Sequence, residues 1–103
     1  MGLLRRRAKR PTRAQQDAAA AALRSWAEST RTRLVSRISS LDGPDRAKAV
    51  GGADALEVFA HEEPPARATF GPTSVDEIWR DDYRAGYLEA FEMAETRRAE
   101  LSR

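Results

Sequence analysis

His61 is the single imidazole of the chain, in the run His-Glu-Glu-Pro-Pro. A histidine works as a general base near neutral pH when a nucleophile lies within hydrogen-bond reach and a third group orients the ring. No Ser, Cys or second His stands at a motif spacing from it, so His61 reads as a solvated loop residue. The acids Asp76, Glu77, Asp81 and Asp82 are a second candidate, because Glu77 and Asp81 lie one helical turn apart and have the chemistry for a divalent ion. Hard cations ask for six or more oxygen ligands, more than one helix face supplies. Arg80 and Arg84 also lie among these acids, which therefore read as a solvated face laced with ion pairs. Gly51-Gly52 lacks the Gly-Lys-Ser/Thr that completes a phosphate loop. Tyr83 and Tyr87 have no activating base near them in sequence. The absence of cysteine excludes disulfides, thiolate metal sites and thiol nucleophiles. Nucleophile, base and oxyanion donor do not assemble, and the expectation is a non-enzyme with no cofactor and no metal.

Two features point to binding instead. Arg5, Arg6, Arg7, Lys9, Arg10 and Arg13 place six positive charges in nine positions. Such a run binds phosphates through counterion release, with little sequence information and a steep salt dependence. The same arm could bind an acidic protein surface or serve as a solubilising tail; an anionic membrane surface, with Leu3 and Leu4 as a weak apolar tip, is the partner it suits least. The second feature is Trp79, Tyr83, Tyr87 and Phe91, four aromatics spaced by four in a chain that is only 7% aromatic. Tyr and Trp are favoured anchors of protein interfaces, and they are also what a small core is made of. These aromatics are not interleaved with the arginines, which argues against a base-stacking platform.

Helices must position both features. After the basic arm, residues 1–11, Pro11 and Thr12 mark a helix start with Thr12 as the cap. From there the chain runs to Leu41 without Gly or Pro, and Ala19, Leu23, Trp26, Ala27, Thr30, Leu34, Ile38 and Leu41 share one face. Asp42-Gly43-Pro44 predicts its end, Gly in the left-handed conformation and Pro unable to continue. Residues 42–73 read as a connector carrying one or two short helices, interrupted at Gly51-Gly52, with residues 56–61 as a short strand in the alternative, and closed by a proline-rich loop. A second long helix, 74–102, opens on Ser74 and Glu77 as a capping box. Its apolar stripe is Val75, Trp79, Tyr83, Tyr87, Ala90, Phe91, Ala94 and Leu101, with Gly86 at the edge.

The predicted class is all-α: two long antiparallel helices, a connector and a basic N-terminal arm, with residues 12–103 as one helical domain. If facing positions sum to 113, Ala22 meets Phe91, Trp26 meets Tyr87, Ala27 meets Gly86, and Leu34 meets Trp79. Arg24 then reaches Glu89 and Arg31 reaches Asp82, pairs that select register more than they stabilise. Two helices leave the aromatic stripe partly open. Either Leu56, Val58 and Phe59 of the connector cover it, or another protein or a second copy does.

Bulk composition bounds the rest. Leu, Ile, Val and Phe number 17 of 103 residues, close to the disordered range, although a net charge of +2 opposes full disorder. Residues 1–40 hold ten basic and two acidic groups, +8, and residues 41–103 hold eight and fourteen, −6. Such asymmetry suits a basic arm seeking a polyanion, or two halves that attract one another. No apolar run approaches the roughly 18–20 residues of a membrane span. The cytoplasm is the expected compartment. Arg outnumbers Lys by 16 to 2, with 19 Ala, a bias associated with GC-rich genomes, bacterial or phage. The expected role is a small interaction or adaptor protein, or a structural component of a larger assembly, docking through Trp79, Tyr83, Tyr87 and Phe91. The alternative is a nucleic-acid-associated protein using the arm.

Overall fold

Helix α1, Arg13–Ile38, starts where the sequence says it should. Thr12 Oγ1 accepts from the Gln15 amide at 3.1 Å, and Gln15 Oε1 accepts from the Thr12 amide at 2.8 Å, a reciprocal cap. Its end comes one turn earlier than the apolar stripe predicts. Ser40 Oγ donates to the Arg37 carbonyl at 2.8 Å, and the amides of Ser40 and Leu41 take i−3 carbonyls at 3.1 and 3.0 Å. Those bonds tighten the last turn and consume the carbonyls that a longer helix would use. The structure, a computed structural model, describes residues 12–61, 68 and 75–102. Residues 1–11, the predicted Ser74 cap and nearly all of the proline-rich loop lie outside the described residues.

The connector holds a single 19-residue helix, α2, Gly43–His61, and this corrects the expectation of short segments broken at Gly51-Gly52. Gly43 takes the left-handed conformation, φ 55°, but it opens α2 as soon as α1 has ended. Pro44 then sits in the first turn, where its missing amide hydrogen is not needed. The glycine pair survives inside α2 because packing overrides propensity. Ala47, Gly51 and Ala55 recur every fourth residue and are buried, as are Gly86, Ala90 and Ala94 in the third helix. A Cβ on Gly51 would strike the Tyr83 carbonyl oxygen, and one on Gly86 would strike the Lys48 carbonyl oxygen. The two backbones touch at this crossing, as small residues at i, i+4 spacing permit.

The third helix, α3, covers Arg80–Leu101 and follows one 3-10 turn, Glu77–Trp79. Asp76 makes no side-chain cap; its carbonyl instead accepts from the Trp79 amide at 2.9 Å. α1 and α2 are antiparallel, since Arg31 pairs with Glu57 at 3.8 Å and Leu34 lies on Gly52. α3 runs in the same direction as α2. Their starts meet where an ideal Cβ on Gly43 would lie 3.7 Å from Trp79 Cζ2, and their later turns meet where Phe59 packs on Phe91.

The fold is all-α, but its centre is α2. Nine of the 19 residues of α2 are buried, against Leu23 and Ala27 alone in α1. The register summing to 113 is therefore corrected. Ala22 is exposed, and Phe91 meets Phe59. Leu34 packs on Gly52, and Trp79 lies by Gly43. Arg31 pairs with Glu57, and Lys48 holds Glu89 at 3.2 Å. The antiparallel sense of α1 and α3 stands; their supposed direct seam gives way to α2, which lies between most of their length.

Candidate interaction surface

The aromatic stripe forms a ladder along α3. Tyr83 and Tyr87 have ring centroids 6.2 Å apart, and Tyr87 and Phe91 stack at 6.5 Å with planes 16° apart. Phe59 closes the ladder edge-on against Phe91 at 5.1 Å and 70°, a favoured aromatic geometry. Leu56 and Phe59 are fully buried, so α2 supplies the cover that the sequence left open. Tyr83, Tyr87 and Phe91 are exposed by only 4%, 5% and 6%. Within this chain they pack as core. Trp79 differs. It is half-buried at the open start of α3, next to Ile78, which is 74% exposed.

Tyr83 keeps one polar duty inside the core. Its hydroxyl donates to Asp54 Oδ2 at 2.5 Å in a partly buried position. A hydrogen bond to a carboxylate contributes about 1.5–3 kcal/mol when buried, and partial exposure discounts it. Tyr83→Phe should therefore lower stability by about 1 kcal/mol, with little further loss when Asp54 is changed to Ala in the same chain. Urea denaturation of the two single variants and the double variant measures this; strictly additive losses would show that the bond contributes nothing.

The other candidates separate. His61 is the exposed last residue of α2, solvated as expected but helical instead of in a loop. Asp76, Glu77 and Asp81 are exposed and Asp82 is half-buried. Among the described residues no group of three or more His, Cys, Asp or Glu is placed to hold a metal ion, and no helix is long and apolar enough to cross a membrane. Arg13 is exposed in the first turn of α1; Arg5, Arg6, Arg7, Lys9 and Arg10 lie outside the described residues. A shallow depression bordered by Ser25, Glu28, Ser29, Thr32 and Arg33 lies on the outer face of α1, and one helix alone forms it.

Sequence reasoning missed what the parallel course of α2 and α3 brings together. Both helices begin at the same end, so Leu41, Ile78 and Trp79 gather there with Asp42, Asp45, Asp76, Glu77, Asp81 and Asp82. The matching Ala47-Gly51-Ala55 and Gly86-Ala90-Ala94 spacings were the available signal that these two helices pair. Compared with known proteins, the chain matches no family model, no curated protein and no solved structure.

Proposed function

We propose that the protein is a non-enzymatic helical interaction protein, an adaptor or structural component of a larger assembly, that docks through the open start of its aromatic helix. The observation that carries this reading is Ile78, 74% exposed, beside the half-buried Trp79. Isolated exposed apolar residues are ordinary. Here the apolar pair is contiguous and includes a tryptophan, the residue type most enriched among interface anchors. Acids on both sides in sequence, Asp76, Glu77, Asp81 and Asp82, give it the polar rim of an interface. A cysteine-free chain needs no oxidising compartment, and the reading takes the cytoplasm as its setting.

A photo-crosslinking residue at position 78, compared with one at the exposed position 92 on the outer face of α3, tests this in the cells that make the protein. A discrete adduct is expected from position 78 and none from position 92. No adduct from position 78 would overturn the docking reading.

A second reading has its own support. Arg13–Ala22 are exposed apart from the half-buried Ala19, so the start of α1 stands clear of α2 and α3. A basic segment carried on such a projecting helix is accessible to a long polyanion, and nucleic acid is the partner it would suit.

A further inference from the structure

We infer that the occupant of the Ile78–Trp79 end is a second copy of this chain, joined head to tail, with residues 3–10 of one copy seated on the acidic, apolar end of the next. The inference rests on the docking reading and names its partner.

Charge and pattern match from opposite ends of the molecule. The seven residues 76–82 hold four acids and one arginine, −3, around Ile78 and Trp79. Residues 3–10 hold five basic groups and no acid, +5, directly behind Leu3 and Leu4. An apolar pair followed by a basic run is the complement of an apolar pair set among acids, and opposed potentials of this kind steer association and fix register.

Length decides between the same copy and another. Ile78 and Trp79 lie at the far end of α1 from the arm, because Trp79 lies by Gly43, five residues past the last turn of α1. The 26 residues of α1 span about 39 Å at about 1.5 Å per residue. Arg7 and Arg10 are six and three residues before Arg13, so a fully extended chain carries their backbones at most about 22 and 11 Å from the start of α1. Leu3 stretches further, but residues 3–10 as a run cannot lie on the acidic end of their own copy. They can lie on the acidic end of a neighbour.

Donor and acceptor sit at opposite ends, so the contact is heterologous: each copy offers an arm to one neighbour and an end to another. Such contacts make rings where the rotation closes and open chains where it does not.

Sedimentation velocity of the full chain over a range of concentrations, at low salt and at roughly 0.5 M salt, tests this with two variants. The acceptor variant is Ile78→Arg, at an exposed position; the donor variant combines Arg5→Glu, Arg6→Glu and Arg7→Glu. Circular dichroism confirms that each keeps its helices. The unaltered chain should form species that grow with concentration at low salt and fall to the mass of one chain at high salt. Each variant alone should stay at the mass of one chain. Their equimolar mixture should give a dimer that grows no further, since the arm of the acceptor variant docks on the intact end of the donor variant. An unaltered chain that stays single at low salt would overturn the inference, as would assemblies that persist in either variant or a mixture that does not combine. If short duplex DNA binds the unaltered chain but not the donor variant, while the unaltered chain alone stays single, the arm serves a polyanion and self-docking is wrong. A crosslink from position 78 to a different protein would leave the docking reading standing and remove this one.

Discussion

Replacing Gly86 with alanine is expected to lower the melting temperature by roughly 12–24 °C, the shift of a small domain that loses about 3 kcal/mol. The sign is the informative part. At an exposed helical position the same change stabilises by about 1 kcal/mol, because alanine loses less backbone freedom on folding. At Gly86 the added methyl meets the carbonyl oxygen and the Cα of Lys48, which are backbone and cannot swing aside. Overpacked sites typically cost 1–3 kcal/mol and occasionally more, and here relief requires moving α2 and α3 apart along their whole contact. Gly52→Ala is the control: its methyl would lie 3.0 Å from Leu34 Cδ2, the end of a flexible side chain, so the change should be close to neutral. Thermal melts of both variants decide the matter. A Gly86→Ala protein as stable as the parent would mean that α2 and α3 do not touch through their backbones.

The same crossing explains what the sequence disclosed and what it hid. α1 was legible because its signals are local: Thr12 caps it, Leu23 and Trp26 mark its inner face, and Gly43 takes the left-handed conformation that the Asp-Gly-Pro run predicted. The aromatic stripe of α3 was legible for the same reason, as a period near 3.6. α2 was hidden because Gly51-Gly52 breaks a helix in isolation, and only contact with Tyr83 and Gly86, more than thirty residues away, reverses that preference. The pairing of α3 with α2 was hidden too, although its antiparallel sense to α1 was not. Two long amphipathic stripes joined by a connector suggest a hairpin of the two, and nothing local says that a third helix claims the seam. Among the site residues, Trp79 was identified by type, whereas Ile78 falls off the stripe of Val75, Trp79 and Tyr83 and was passed over. Its exposure is visible only once the other residues are seen to be covered.

Phe59→Ala is expected to cost about 3–5 kcal/mol, the range for truncating a buried aromatic. In a domain whose whole stability lies near the lower end of about 5–15 kcal/mol, that is enough to leave much of the population unfolded near 37 °C. Phe59 is 0% exposed, and only 17 of 103 residues are Leu, Ile, Val or Phe, so few neighbours are available to fill the space it leaves. Part of the loss belongs to the edge-on contact with Phe91 at 5.1 Å, which contributes about 0.5–1.5 kcal/mol beyond buried area. A double-mutant cycle isolates that part. Phe59→Leu and Phe91→Leu keep most of the volume and the helical propensity, and their combined loss should fall short of the sum of the single losses by about that amount. Urea denaturation of the four proteins supplies the cycle, with circular dichroism to confirm that each begins folded. A Phe59→Ala loss below about 1 kcal/mol would be characteristic of a surface position. The aromatic face of α3 would then lie uncovered by α2, and Tyr83, Tyr87 and Phe91 would again be residues that a partner must bury.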